Sequence, residues 1–177
     1  MNFLRRILCC KKIYSSGVYR LQLSDNKYYI GKSYEIERRI WCHLHNNGSA
    51  WTRKYDVIER LPLLTDCKDS KLWELEETLE NMNQFGIDNV RGSMFSKIIL
   101  SNEEKINAGK LYCEMYDLCR KCGSGNHFIT YCKNDKMEPW VQKFGGNLIE
   151  SKRRCHKCFK DINNLPSYYR YCNECYT

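Results

Sequence analysis

The sequence lacks an uncharged apolar stretch long enough to form a signal-peptide core or to cross a membrane. Its first ten residues carry Arg5 and Arg6, and the apolar runs around them are too short for either role. We therefore expect an intracellular protein, in the cytoplasm or the nucleus, without a membrane span. The alternative at this end is that Cys9 and Cys10, beside basic residues, form a lipid-modified anchor.

Acidic residues are outnumbered by basic ones, with 21 Asp and Glu against 29 Lys and Arg, which gives a formal charge of +8. A positive charge suits a polyanionic partner such as nucleic acid, although many basic proteins bind none. Hydrophobic residues make up 42% and charged residues 28% of the chain, which excludes a disordered composition. A length of 177 residues fits one compact domain with small additional modules.

The first 115 residues contain no CxxC pair, whereas seven of the 12 cysteines lie between residues 119 and 175 in ligand-like spacings. In a reducing compartment such pairs indicate metal binding more often than disulfides. Four sulfur or imidazole ligands without an open position favour structural zinc, so the sequence predicts two structural Zn²⁺ sites. His156 could replace one cysteine of the second site, but we expect it to be a bystander. The predicted ligands are Cys119, Cys122, His127 and Cys132 in the first site and Cys155, Cys158, Cys172 and Cys175 in the second.

This change in cysteine usage marks a boundary near residue 118. We expect an N-terminal extension at 1–15, a domain at 16–100 and a connecting helix at 101–118. The first zinc module would follow at 119–132. A linker at 133–151 would separate it from the second module at 152–177.

The first domain is predicted to be α+β with a small sheet, because strands and helices do not alternate regularly. Val18–Leu23 alternates like a half-buried strand, and residues 25–26 mark a turn into a return strand. Ser101 and Glu104 form a predicted capping box that opens a helix running to about Leu118. The other predicted elements are a strand at Lys27–Gly31, a helix at Glu35–Leu44, a strand at Val57–Leu61 and a helix at Ser70–Phe85.

Tyrosines, basic residues and glutamates in this domain occur at positions that suit phosphodiester cleavage. Tyr19 and Tyr29 lie on the first two strands, and the next helix carries the basic residues Arg38, Arg39 and His43. A later acidic helix carries Glu74, Glu76, Glu77 and Glu80. Cleavage needs a base to activate water, cations to neutralise the phosphate, and a carboxylate to hold a divalent metal ion. Taken singly, each residue also fits an ordinary strand or a solvated helix face.

Together these residues resemble the GIY-YIG nuclease superfamily. GVY at 17–19 and YIG at 29–31 match its two motifs, Arg39 follows eight residues after Gly31, and His43 follows four residues later. The stretches HNNGSAWTRKY at 45–55 and GIDNVRG at 86–92 are similar to a subgroup in large DNA viruses and some cellular genomes. The resemblance spans about residues 16–100. It implies a three-stranded antiparallel sheet flanked by helices, and a viral origin would place the protein in a host cell.

In the family that this chain resembles, two tyrosines lie at the reacting centre. The resemblance gives Tyr19 and Tyr29 the roles of general base and of orienting water. Arg39 would neutralise the scissile phosphate, and His43 would assist the base or bind phosphate. Asn89 matches a family position near the site. A single glutamate would ligate one catalytic Mg²⁺ or Mn²⁺ ion, which keeps most of its waters.

The metal-binding glutamate is predicted to be Glu74, which lies fifteen residues before Asn89, a separation also found in a homing enzyme of the family. Glu77 and Asn81 depart from the aromatic or apolar residues that the family leads us to expect. A rotated helix would therefore bring Glu77 or Glu76 to the site instead. The same departures also fit a domain that has lost its activity.

The first zinc module resembles the CCHC zinc knuckles of retroviral nucleocapsids and cellular RNA-binding proteins. Such knuckles bind single-stranded nucleic acid by stacking a base on an aromatic ring. Phe128 and Tyr131 are the rings available here, and Arg120 and Lys121 can supply phosphate contacts. The alternative is that the rings cover the metal site and the basic residues serve solubility. DNA or RNA is the expected partner.

The sequence leaves three functions open. The first hypothesis is a metal-dependent endonuclease whose zinc modules localise it on nucleic acid. The second is a catalytically inactive, zinc-dependent nucleic-acid-binding protein. The third is a zinc-dependent protein-interaction adaptor, and binding that does not depend on salt would favour it.

Overall fold

The computed structural model of the chain describes residues 17–65, 70–149, 155, 157–158, 160 and 170–176. The predicted N-terminal extension, the Cys9-Cys10 anchor and His156 lie outside the described residues. Those that are described form a mixed α+β fold with a small sheet flanked by helices, as the sequence predicts. None of their helices is both long and apolar enough to span a membrane.

The sheet has four strands and not the three expected from the resemblance: β1 (Gly17–Leu23), β2 (Lys27–Ser33), β3 (Val57–Thr65) and β4 (Val90–Gly92). Their order is β3-β1-β2-β4. β1 pairs antiparallel with β2 and β3, whereas β4 pairs parallel with β2. β4 gives no sequence signal because it is only three residues long, and it forms along the edge that residues 28–30 of β2 offer.

The β1–β2 hairpin turns at Ser24–Asn26, where Asp25 and Asn26 have φ values of 56° and 54°. Asp and Asn tolerate this left-handed conformation, and two successive positive φ values match the right-handed twist of the flanking strands. The predicted turn is therefore confirmed. β2 continues to Ser33, two residues beyond its predicted end.

Strand β3 continues through Pro62, where the sequence predicts that it ends. Leu61 pairs with Arg20 and Leu64 pairs with Val18, so β3 carries one extra residue between these pairs. β3 also lies at the edge of the sheet. A bulge on an edge strand accommodates a proline, which cannot donate a backbone hydrogen bond.

Four helices accompany the sheet: α1 (Ile36–Leu44), α2 (Ala50–Lys54), α3 (Ser70–Phe85) and α4 (Asn102–Met115). α1 and α3 lie where the sequence predicts helices. α4 opens on the predicted capping box between Ser101 and Glu104 and ends three residues before the expected end. The sequence does not predict α2, because five residues are too few to show helical periodicity.

The two faces of the sheet bury separate cores. Helices α1 and α2 cover one face, and α3 and α4 cover the other, so alternate residues of β1 point into different cores. The first core contains Tyr19, Leu21, Leu23, Tyr29, Ile36, Ile40 and Trp51. The second contains Val18, Ile30, Leu79, Met82, Ile87, Val90, Phe95, Leu100, Ala108, Tyr112 and Phe144.

A 3-10 helix at Pro139–Phe144 lies within the segment expected to be a linker at 133–151. Phe144 belongs to the core beneath α3 and α4, and Val141 is buried in a smaller cluster beside it. Leu148 packs so closely on α4 that a Cβ atom at Gly109 would lie 2.6 Å from its side chain. This segment therefore packs back onto the N-terminal domain.

Candidate functional site

Tyr19 and Tyr29 lie on the same face of the β1–β2 hairpin. Tyr19 pairs with Gly31 and Leu21 pairs with Tyr29, so the tyrosines are diagonal neighbours with ring centroids 6.3 Å apart. Both are buried. A Cβ atom at Gly31 would lie 2.5 Å from Tyr19 Oη and 2.9 Å from a ring carbon of Tyr29. The packing of the two phenols therefore requires glycine at this position of the YIG motif.

Helix α1 adds Arg39 and His43, which lie one turn apart. His43 Nε2 lies 2.7 Å from Tyr19 Oη, and the His43 ring centroid lies 4.9 Å from that of Tyr29. Arg39 is half-buried, and its guanidinium interacts with both phenol groups. The helix thus places an imidazole and a permanent positive charge beside the tyrosine pair.

Burial sets the protonation states of these groups. It raises the pKa of Tyr19 and of Tyr29, and the neighbouring Arg39 guanidinium offsets only part of that rise. It lowers the pKa of His43 to about 4, and the charge of Arg39 acts in the same direction. At neutral pH the site therefore holds two neutral phenols, a neutral imidazole and a guanidinium.

The charge of Glu74 on α3 acts on both phenols of this group. Burial is the largest cause of the raised pKa of Tyr19 and Tyr29, and the negative charge of Glu74 raises both pKa values further. Its side chain is 12% exposed, and its Oε2 lies 3.5 Å from Lys32 Nζ. One carboxylate that can share a cation with a substrate phosphate fits Mg²⁺ or Mn²⁺, which keep several waters in such sites.

The other glutamates of α3 interact with different partners. Glu77 Oε2 lies 3.4 Å from Asn81 Nδ2, and the same amide nitrogen donates to the Glu77 carbonyl at 2.7 Å. The charge of Glu76 acts on Tyr116, whose pKa burial already raises. The rotation of α3 thus directs Glu74 toward the tyrosine pair and the alternatives Glu76 and Glu77 toward other side chains.

Ser49 and Thr52, to which the sequence analysis assigns no role, extend the group. Thr52 Oγ1 lies 2.7 Å from His43 Nδ1, and Thr52 is buried. Ser49 Oγ lies 3.2 Å from Thr52 Oγ1, and it also interacts with the Tyr29 hydroxyl. Both residues belong to the HNNGSAWTRKY stretch, and the predicted resemblance of this stretch to a family subgroup is the sequence signal that points to them.

The GIDNVRG stretch holds β4 in place. Asn89 accepts a hydrogen bond from Lys27 Nζ at 2.6 Å and donates one to the Phe85 carbonyl at 2.7 Å, so its hydrogen bonds do not go to the tyrosines. The guanidinium of Arg91 is buried, lies 4.4 Å from the Trp51 ring and donates to the carbonyls of residues 87, 90, 97 and 98. Arg91 therefore ties the loop after β4 to the sheet.

Comparison with known families finds a match in the N-terminal part of the chain. Residues 15–86 match the GIY-YIG catalytic domain. The matched segment contains both tyrosines, Arg39, His43 and Glu74, and it ends before β4. The GIY-YIG domain is a nuclease fold that acts on nucleic acid, so the match indicates a nuclease-type function. No curated protein and no solved structure shows significant similarity to the chain.

Beyond the matched segment, four residues bring their ligand atoms within 4.8 Å of one another, namely Cys119, Cys122, His127 and Cys132. Bonds of about 2.3 Å in a tetrahedral zinc site separate ligand atoms by about 3.8 Å. Cys122 Sγ lies 3.4 Å from His127 Nε2. The Lys121 amide donates to Cys119 Sγ at 3.5 Å, and the Asn134 side chain donates to Cys122 Sγ at 3.6 Å. Such donors stabilise thiolates, so these residues fit a bound metal ion.

The first cysteine cluster is attached to the N-terminal domain through the 3-10 helix Pro139–Phe144 and the residue before it. Trp140 Nε1 donates to the Gly123 carbonyl at 2.9 Å, and the Glu138 amide donates to the Cys122 carbonyl at 2.7 Å. Gly123 has a φ of 85°, and a Cβ atom there would lie 2.8 Å from the Trp140 ring. Trp140 also packs on Tyr112 of α4, with ring centroids 4.9 Å apart. The cluster thus shares its support with the core of the N-terminal domain.

The residues predicted to contact nucleic acid lie beside this cluster. Phe128 and Tyr131 are 61% and 77% exposed, and with His127 they border a cavity of about 440 Å³. Both rings therefore present most of their surface to solvent. Arg120 pairs with a glutamate of α4 at 2.8 Å, and Lys121 is half-buried.

A second group of ligand atoms lies within 4.8 Å at Cys155, Cys158, Cys172 and Cys175. The Sγ atoms of Cys158 and Cys172 are 3.5 Å apart. Lys160 pairs with Glu174 at 2.5 Å and joins the two halves of the cluster. Four sulfur atoms at this spacing also fit a bound metal ion, and zinc is the metal that prefers such a set.

Proposed function

We propose that the chain is a metal-dependent endonuclease that hydrolyses phosphodiester bonds in nucleic acid. The observation that carries this proposal is the 2.7 Å contact between Tyr19 Oη and His43 Nε2, with Arg39 acting on the same phenol. A base, a cation and a carboxylate are the groups that this hydrolysis requires, and Glu74 supplies the third. The match of residues 15–86 to a nuclease domain supports the same reaction.

In this mechanism Tyr19 takes a proton from the attacking water as its own hydroxyl proton passes to the neutral ring of His43. Tyr29 orients the water. Arg39 neutralises the charge that develops on the phosphate. The negative phosphate in turn offsets the positive charge of Arg39, which otherwise lowers the pKa of His43. Glu74 would hold Mg²⁺ or Mn²⁺, which supplies Lewis-acid stabilisation of the phosphate charge.

The two cysteine clusters hold structural Zn²⁺ in this proposal and localise the enzyme on DNA or RNA. The exposure of Phe128 and Tyr131 supports a stacking role, because a base can reach both rings. Arg120 and Lys121 contribute phosphate contacts. The sulfur-rich ligand sets support zinc rather than magnesium at these clusters.

The second candidate is a catalytically inactive, zinc-dependent nucleic-acid-binding protein. The ion pair between Lys32 Nζ and Glu74 Oε2 favours it, because a lysine at 3.5 Å can neutralise the carboxylate without a metal ion. Such a protein would keep the fold and the zinc modules and would bind nucleic acid without cutting it.

A cleavage assay distinguishes the two functions. The purified, zinc-loaded full chain is incubated with branched and linear DNA and with RNA, with and without Mg²⁺. Arg39→Ala is compared with Arg38→Ala, which removes a neighbouring exposed arginine that pairs with Glu35 at 3.1 Å. We expect Mg²⁺-dependent cutting that Arg39→Ala slows at least about a hundredfold and that Arg38→Ala changes less than about threefold.

Three other results would contradict this proposal. Equal rates for the two arginine variants would show that the assigned site is wrong. Binding without cutting by the wild-type protein would establish the inactive binder. An affinity that does not change between low and high salt would contradict phosphate contacts and favour the protein-interaction adaptor.

A further inference from the structure

Both ring nitrogens of His43 have a hydrogen-bond partner. Nε2 lies 2.7 Å from Tyr19 Oη, and Nδ1 lies 2.7 Å from Thr52 Oγ1. His43 and Thr52 are both 2% exposed, so water does not replace either contact. The identity of the nitrogen that carries the proton therefore depends on the partner at Nδ1.

Thr52 is fixed by the start of helix α2. Its amide donates to Ser49 Oγ at 3.2 Å, and its hydroxyl donates to the Ser49 carbonyl at 3.2 Å. Gly48 leaves the space for the contact with His43, because a Cβ atom there would lie 2.2 Å from His43 Nδ1 and 2.4 Å from Thr52 Oγ1. Gly48 and Thr52 thus pack directly against the His43 ring.

The hydrogen bonds that link Ser49, Thr52 and His43 share a small number of protons. Thr52 has one hydroxyl proton, and the Ser49 carbonyl can only accept it. With this proton directed to the Ser49 carbonyl at 3.2 Å, Thr52 Oγ1 accepts a proton from His43 Nδ1 at 2.7 Å, which leaves the Nε2 lone pair facing Tyr19. We propose that Thr52 is a positioning residue that holds His43 in the Nδ1–H tautomer, so that Nε2 can accept the Tyr19 hydroxyl proton.

The catalytic consequence rests on the proposed function. With Nδ1 protonated, the bond from Tyr19 Oη to its proton can break toward Nε2 while Tyr19 takes a proton from water, so protons balance at each atom. With Nε2 protonated, His43 would donate to Tyr19 and could not accept its proton. Thr52 would act only through the histidine, and it does not contact the substrate.

The tautomer of His43 can be measured without any enzymatic activity. The nitrogen NMR shifts of the imidazole rings are recorded at neutral pH for the wild-type chain, which has four histidines, and His43→Gln identifies the signals of this residue. We expect the Nδ1–H tautomer in the wild type and in Thr52→Ser. Thr52→Val, which keeps a similar side-chain volume without the hydroxyl, should give a mixture of both tautomers.

An Nε2–H tautomer in the wild type, or an unchanged tautomer in a folded Thr52→Val protein, would overturn the proposal. If Thr52→Val does not fold, as judged by circular dichroism, the wild-type and Thr52→Ser spectra decide the question. Both must show Nδ1–H for the proposal to stand.

Steady-state kinetics of the Thr52 variants test whether the His43 tautomer affects cleavage. Thr52→Val should lower kcat roughly tenfold to a hundredfold with KM changed less than about twofold, and Thr52→Ser should restore most of the rate. A changed KM at constant kcat would contradict the positioning role. If the wild-type chain cuts no substrate, the proposed function fails, and the ring spectra still decide the role of Thr52.

Discussion

Gly31 and Gly48 both border the candidate site at positions where a Cβ atom would overlap a polar side-chain atom. At Gly31 the overlap is with Tyr19 Oη at 2.5 Å, and at Gly48 it is with His43 Nδ1 at 2.2 Å. Neither position can carry alanine unless the neighbouring ring moves. The last residue of the YIG motif is thus required by the packing of the site, and not by a positive φ at that position.

Replacing Gly31 should therefore damage activity more than stability. Gly31→Ala would displace the Tyr19 ring by a fraction of an ångström to one ångström, and we expect the cleavage rate to fall about a hundredfold. Gly125→Ala is the matched control, because a Cβ atom there meets only Leu118 at 3.6 Å, and its rate should stay within about threefold. Rates and circular dichroism of both proteins check this. A Gly31→Ala protein that cuts as fast as the control contradicts it.

The neutral state of His43 predicts a dependence of stability on pH. Burial lowers the pKa of His43 to about 4 in the folded protein, against about 6.5 in the unfolded chain. Between these values the unfolded state binds more protons, so the free energy of unfolding decreases as the pH falls. Relative to His43→Gln, which cannot titrate, the wild type should lose up to about 3 kcal/mol between pH 7 and pH 4.

Denaturant unfolding of both proteins at several pH values measures this difference. All other titrating groups are common to the two chains, so they do not contribute to it. A difference that stays constant from pH 7 to pH 4 would show that His43 is not held neutral by the fold.

At the scale of elements, the rotation of α3 decides which glutamate acts on the tyrosine pair. Glu74 acts on the two phenols, whereas Glu77 interacts with Asn81. Periodicity predicts α3 at its observed bounds. It leaves the rotation open, because Glu74 and Glu77 lie three residues apart and are neighbours on the helix surface. Packing of Leu79 and Met82 against the sheet fixes that rotation.

The two glutamates form a matched pair for mutagenesis. Glu74→Gln keeps the size of the side chain and removes its charge, so Mg²⁺-dependent cleavage should fall at least about a hundredfold. Glu77→Gln should change the rate less than about threefold. Cleavage measured over a range of Mg²⁺ and Mn²⁺ concentrations checks both. A larger loss for Glu77→Gln would assign the metal to that residue instead.

Long elements with a clear period are predicted from the sequence, and short ones are not. The hairpin, α1, α3 and the capping box of α4 follow from local patterns and appear where expected. The five-residue α2 and the three-residue β4 do not. Isolated segments of this length are unstable in water, and they form here through Ser49, Thr52 and the pairing with β2.

At the scale of the whole molecule, one side chain, Trp140, contacts both the first cysteine cluster and the N-terminal domain. Trp140 donates a hydrogen bond to Gly123 of the cluster and packs on Tyr112 of α4. Phe144, four residues later, is buried in the main core. The described part of the second cluster forms a small cluster of its own around Cys155 and Cys172. The two sites should therefore differ in how strongly metal loss affects the domain.

Single serine substitutions test this difference. Cys132→Ser and Cys175→Ser should each lower the zinc content from about two ions to about one ion per chain. Cys132→Ser should also lower the Tm of the N-terminal domain by about 5 °C or more, because it loosens the support of Trp140. Cys175→Ser should leave that Tm within about 2 °C. Elemental analysis and thermal unfolding check both, and equal shifts in Tm would contradict the shared support.

The sequence by itself determined the tyrosine pair of the two motifs, the spacing of Arg39 and His43, the two groups of Cys and His residues and the α+β class. Each of these depends on residues that lie close together in the chain or on a repeated period. The tertiary structure decided which glutamate neighbours the tyrosines, that Thr52 lies against His43, and that Trp140 joins the first cysteine cluster to α4. These contacts depend on the angles at which separate elements pack, and spacing along the chain does not specify those angles.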